Sequence, residues 1–371
     1  MDRVRGVNLG NWLVLEKWMS PSMFAGTDCE DETWLCRTLS DDIKRERYLQ
    51  HRSTYITERD FAYMAGAGLN AVRIPVPYFI FDDVEPFVGC IEYLDKAFDW
   101  AEAYDIQILI DLHTAPGSQN GFDNGGICGV CKWAQDADGV EFVLTVLERL
   151  SARYATRKGL WGVQVLNEPI SEALWVGADI PSRYPAHDAA EAEGSAPIET
   201  EFLKTFYRDA YRRIRAQLPT DKVVAFHDGF RLIEWDGYFN DGTFENVVLD
   251  THQYLMTADG MGIEPTLAGY TRYVEENWVK PVQRMGAQVP LIVGEWCVSN
   301  KGASQMADKA EKRALYRALY ALQTGLFEQG AGWFYWSYKL LLDATHNPAQ
   351  VGVSAWDYAR CVSEGFVDPL Q

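Results

Sequence analysis

The 371-residue sequence contains no unbroken apolar run of the roughly eighteen residues that a membrane-spanning helix requires. Positive charge is scarce. Its 34 Lys and Arg face 53 Asp and Glu, and the resulting net charge of −19 argues against nucleic acid and against anionic lipid surfaces as partners. No GxGxxG follows the first apolar strand, which removes the dinucleotide-binding fold. The start, MDRVRGVNLGNW, shows no basic-then-apolar leader. The cysteines Cys29, Cys36, Cys90, Cys128, Cys131, Cys297 and Cys361 are scattered and odd in number, so reduced thiols in a cytoplasm are expected. Cys128 and Cys131 form CGVC with no second CxxC or nearby HxxxH, and no metal site is expected there. No metal or organic cofactor is called for elsewhere. No linker or composition break divides the chain, which reads as one domain over 1–371 with its oligomeric state left open.

What is present is regular. Short, β-branched, apolar stretches recur at 4–10 (VRGVNLG), 69–76 (LNAVRIPV), 106–113 (IQILIDLH), 162–169 (GVQVLNEP), 222–230 (KVVAFHDGF), 246–254 (NVVLDTHQY), 290–296 (PLIVGEW) and 330–338 (GAGWFYWSY). Continuous rather than alternating hydrophobicity is the mark of parallel strands buried on both faces. Helix-period segments separate them at 92–105, 140–155, 199–218 and 307–329; the first sets Leu94, Phe98, Trp100 and Ala101 near one face. Strand–helix alternation repeated in this way predicts a single (β/α)8 barrel. Two connections are long, 17–60 after the first strand and the acidic, turn-rich 171–197 after the fourth, and both should stand on the C-terminal face.

Polar residues collect where the strands end: Asn8, Asn11 and Glu16 after the first, Arg73 on the second, Asp111 and His113 on the third, Asn167 and Glu168 on the fourth. His252 and Tyr254 follow on the sixth, Glu295 and Trp296 on the seventh, and Trp336 on the eighth. Singly, Arg73, His113, His252 and Trp336 read as satisfied core residues. Glu168 and Glu295 have no cap or helix role to fill, and two carboxylates across a pocket are the equipment of glycoside hydrolysis. Arg73 and Tyr254 are placed to keep Glu295 ionised, and Asn167 to grip a sugar 2-hydroxyl.

The blocks RGVNLGNWLVLEKWMSPSMF (5–24), STYITERDF (53–61), GLNAVRIPVPYF (68–79), IDLHTAPGSQNGFDNGG (110–126), VLNEP (165–169), HQY (252–254), GEW (294–296) and WFYWSYK (333–339) run in order along the chain. They resemble glycoside hydrolase family five, and within it the fungal exo-β-1,3-glucanase branch. The resemblance implies Glu168 as acid/base, Glu295 as nucleophile, and Arg73, His113, Asn167, His252, Tyr254 and Trp336 around the sugar. It implies that Glu16 and Asp123 close the pocket behind the non-reducing end. In that branch an aromatic just after the HxY tyrosine clamps the acceptor against the residue equivalent to Phe122; here that stretch reads Leu255, Met256, Thr257, so the acceptor side is altered. The expected substrate is a β-glucan or oligosaccharide. The rivals are a glucoside with a lipid, steryl or flavonoid aglycone and, more remotely, a non-catalytic sugar-binding barrel.

Overall fold

The computed structural model describes residues 3–342 and 355–370. All the expected strands form: β1 (Val4–Asn8), β2 (Ala71–Val76), β3 (Gln107–Leu112), β4 (Leu160–Gln164), β5 (Val223–His227), β6 (Val247–His252), β7 (Leu291–Glu295) and β8 (Gly332–Tyr335). They pair in chain order into a closed barrel, with Val4 of β1 opposite Gly332 of β8. Helices Ile91–Ala103, Ala137–Tyr154, Thr200–Gln217 and Lys309–Phe327 coincide with the sequence periodicity. Leu94, Phe98 and Ala101 are buried on the inner face of the first, with Trp100 half-buried beside them.

One apolar cluster draws Val4, Ala71, Leu109, Trp161, Val223, Val248, Ile292 and Phe334 from all eight strands, so it fills the barrel interior. A step of two along a strand keeps the same face. On that face Ala71 gives way to Arg73, Leu109 to Asp111, Val248 to Asp250 and Phe334 to Trp336. The interior therefore turns from apolar to charged toward the C-terminal ends of the strands.

Pairing of β6 with β7 carries an irregularity: Thr251 stands opposite Val293, but His252 stands opposite Glu295, and Gly294 is skipped. A bulge of this kind re-aims the side chain after it, and it brings Glu295 to the face that His252 occupies. Glycine is required at 294 because a Cβ there would lie 2.1 Å from the Asp250 carboxylate.

Both long connections fold. The first contains helices Glu32–Thr38 and Asp41–Tyr55, and the second contains Glu172–Gly177, Ile180–Arg183 and Ala189–Ala192. They brace each other: Arg37 makes a two-pronged bond to Glu191 at 2.9 Å, and the Trp34 and His187 rings lie 4.0 Å apart.

Candidate active site

Arg73 organises the charged end of the barrel. Its Nε donates to Gln164 Oε1 at 2.8 Å, Nη1 to Asn8 Oδ1 and Glu295 Oε1 at 2.9 Å each, and Nη2 to Asn167 Oδ1 at 2.8 Å. Asp111 supplies a second counter-charge at 3.0 Å. A guanidinium with no exposed surface is tolerable only with partners of this number and geometry.

Glu295 is held from both sides, by Arg73 on Oε1 and by the Tyr254 hydroxyl on Oε2 at 2.9 Å. Glu168 accepts from Asn124 Nδ2 on Oε2 at 3.0 Å, and its Oε1 lies 2.7 Å from His252 Nδ1. The same imidazole nitrogen is 3.5 Å from Glu295 Oε2. Both carboxylates are almost wholly buried, at 5% and 3% exposure. Glu168 also adopts a left-handed backbone (φ 45°), a conformation that costs a residue with a Cβ about 1–3 kcal/mol and is concentrated at functional positions.

Burial raises Glu295 above the ordinary carboxylate range, opposed by the positive charges of His252 and Arg73. Burial pushes Glu168 the same way, but its hydrogen bond to His252 and the imidazolium charge outweigh it and hold Glu168 low. His252 is desolvated too, yet the charges of Glu295 and Asp250 lift it well above the usual imidazole range. The shared proton therefore rests on the imidazole side of the His252–Glu168 bond.

A cavity of about 710 Å³ lies over these groups. Glu16, Phe122, Asp123, Glu168, Tyr254, Glu295 and Trp336, all anticipated from the sequence, line it. Arg73, His113 and Asn167 do not reach its surface; they are fully buried behind it. His113 is bonded to Asp111 at 2.5 Å, and its ring lies parallel to Trp336 at 5.8 Å. Asn167 Oδ1 is occupied by Arg73, and its Nδ2 sits 3.4 Å from His113 Nε2. His252 faces an adjoining hollow. Glu16 accepts from Trp18 Nε1 at 2.7 Å; burial and the charge of Asp123 raise Glu16, and burial with the charges of Asp31 and Glu168 raises Asp123 to about 6.

Several supporting residues escaped the sequence reading. Asp250 accepts from Gln164 and from the Gly294 amide at 2.8 and 2.6 Å; its place two residues before His252 on one strand face was a usable signal. Asn124, Trp18, Arg183, Tyr184 and Trp356 come from the connections that follow the strands and carried none. Glu168, His227 and His252 offer ligand atoms within 4.8 Å of one another. His227 Nδ1 accepts from the Gly229 amide at 2.9 Å and His252 Nδ1 is bonded to Glu168, whereas the Nε2 atoms of both histidines are buried with no hydrogen-bond partner among the described residues.

The cellulase family model (glycosyl hydrolase family 5) matches residues 42–340. The chain is 33% identical to a probable glucan 1,3-beta-glucosidase A of Emericella nidulans, across 100% of its own length and 91% of the relative's. It is 31% identical to glucan 1,3-beta-glucosidase 2 of Wickerhamomyces anomalus, across 91% of this chain and 83% of that one. Among solved structures, the rutinosidase from Aspergillus niger shares the fold with a TM-score of 0.76 at 21% identity, covering 99% of this chain and 98% of that chain.

These relatives correct one expectation. Kinship with fungal and yeast glucan glucosidases fits an extracellular rather than a cytoplasmic location. The odd cysteine count misled because all seven cysteines are buried, and burial raises Cys36, Cys90, Cys128, Cys131, Cys297 and Cys361, so that these thiols stay unreactive whatever the compartment. Among the described residues, no helix is long and apolar enough to cross a membrane. By its match along most of its length, the chain belongs to glycosyl hydrolase family 5 and is a glycoside hydrolase of the β-glucosidase type.

Proposed function

We propose that the enzyme is a retaining, exo-acting β-glucosidase that removes glucose from the non-reducing end of β-1,3-linked glucans or oligosaccharides. The observation that carries this reading is the contact of one imidazole with both glutamates. Its two distances, 2.7 and 3.5 Å, hold the contacted carboxylate oxygens to at most about 6 Å apart, a bound that admits a retaining pair (about 5–5.5 Å) and falls below the spacing of an inverting pair (about 6.5–9.5 Å). The linkage and the sugar rest on the names of the relatives.

In the first step a Glu295 oxygen attacks the anomeric carbon, and the bond to the leaving oxygen breaks as that oxygen takes a proton from Glu168. Two donors keep Glu295 anionic against its burial. The proton reaches Glu168 across the 2.7 Å bond from His252, and exclusion of water by the sugar favours the neutral acid. Esterification of Glu295 then removes a negative charge beside the pair, which lowers the proton affinity of His252 and Glu168 together. Glu168 is thereby left ionised to deprotonate the incoming water, and Glu295 departs. In this reading Trp336 forms an apolar wall beside the reacting sugar, and Glu16, Trp18 and Asp123, which line the same cavity, bound the non-reducing end.

The test is the product. Laminari-oligosaccharides followed by NMR should release β-glucose first, together with the oligosaccharide one glucose shorter and no other fragment at early times. Release of α-glucose, or of mixed oligosaccharides, would refute retention or exo action respectively. Glu295→Gln should lower turnover by about 10³-fold or more with the fold intact.

A further inference from the structure

Beside the main cavity opens a second hollow of about 610 Å³, which shares Phe122, Arg183, Tyr184 and Tyr254 with it. It reaches His252, the partner of Glu168, and lies away from Glu16 and Asp123. A leaving group protonated by Glu168 would extend into it. Its walls are Leu174, Ile180, Phe230, Leu232, Ile233 and Trp278. Ile233 is 38% exposed although it is a large apolar side chain, and Met256, 42% exposed, lines the adjoining main cavity.

Several polar groups of this hollow are already bonded within the protein. Arg231 gives Nε to Gly229 O, Nη1 to Ile198 O and Thr200 Oγ1, and Nη2 to Pro169 O, all within 3.1 Å. The Asp228 oxygens take the Phe230 amide at 2.7 Å and the Thr251 hydroxyl at 2.8 Å. Gln253 Nε2 donates to Thr251 Oγ1 at 3.0 Å, and Asn277 Nδ2 to Tyr273 O at 2.9 Å. Arg183 stands on the seam, with its guanidinium 5.9 Å from the Tyr184 ring centroid. A second sugar presents several hydroxyls, each needing a partner when it leaves water. A surface of alkyl walls and satisfied donors favours a group without them.

We infer that this groove holds an apolar aglycone, so that the enzyme hydrolyses β-glucosides of hydrophobic alcohols more efficiently than a glucose disaccharide. The inference rests on the glucosidase reading above, and the experiment separates the two. β-Glucosyl fluoride, which has no aglycone, reports the glucose half of the site alone. Methyl to octyl β-glucosides (the last below its micellar concentration) and laminaribiose report the groove. Along the alkyl series kcat/KM should climb by about twofold per methylene, and octyl glucoside should exceed laminaribiose by about tenfold. Leu174→Asn with Ile233→Asn, at positions outside the catalytic machinery, should flatten the series by about fivefold or more without changing fluoride release. A flat series, a preference for laminaribiose, or a series unmoved by the double variant would overturn the inference. Failure to release fluoride would instead bring down the glucosidase reading.

Discussion

Tyr254→Phe removes a single oxygen, the one that donates to Glu295 Oε2 at 2.9 Å. The ring itself, packed at 5.3 Å from Trp356, is retained. A hydrogen bond to a charged acceptor contributes about 1.5–3 kcal/mol. Arg73 stays on Oε1 and the His252 charge stays at 3.5 Å, so the lower half of that range applies, about 1.5–2 kcal/mol. The hydroxyl favours the anion, and its loss makes Glu295 easier to protonate, in the direction burial already pushes it. The acid limb of kcat/KM should therefore move upward by about one pH unit, since 1.36 kcal/mol corresponds to one unit. At the plateau kcat/KM should fall by about 10–30-fold, with thermal stability nearly unchanged. Initial rates on β-glucosyl fluoride across the acidic and neutral range measure both. An acid limb that stays in place, with kcat/KM intact, would show that Tyr254 does not sustain the charge on Glu295.

Glu168→Ala should lose about 10²–10⁴-fold on unactivated glucosides, and azide should restore turnover of activated ones as β-glucosyl azide, read by NMR. Gly10→Ala would set a Cβ 2.9 Å from the Trp336 ring, so the ring must shift; KM should rise about tenfold while the melting temperature falls only slightly. Burial raises Asp123 to about 6, so its contribution to stability is complete at about pH 4 and is lost as pH rises through about 6. Asp123→Asn should accordingly gain about 1–2 kcal/mol on the parent between about pH 4 and pH 7 in urea unfolding, while weakening substrate binding. Burial pushes Cys36, Cys90, Cys131 and Cys361 up to about 12, and all seven thiols are buried; a thiol reagent at neutral pH should label none in the native protein and all after denaturation.

The carboxylates were legible because a charged residue just after a buried apolar run has no ordinary structural employment: Glu295 ends β7, and Glu168 follows four residues after β4 stops at Gln164. Arg73 was legible as an oddity in an apolar strand, although its reach to five partners was not. Asn167 illustrates a limit. Its neighbour Glu168 lines the cavity, whereas Asn167 turns behind it onto Arg73, and a composition pattern cannot tell the two directions apart.

The sequence by itself determined the barrel, since eight doubly buried strands spaced by amphipathic helices have few other ways to satisfy their backbones and cover their apolar faces. It also determined which chemical groups would gather at the rim, because the strand ends share one face of a parallel barrel. Tertiary structure decided how those groups meet. The skipped Gly294 turns Glu295 toward His252, and the left-handed Glu168 is held by Asn124 from a loop far away in sequence. Folding of the segment after β4 brings Arg183 and Tyr184 to the seam between the two hollows. Such placements depend on contacts between distant residues and on local backbone twists, and neither leaves a periodic trace in the chain.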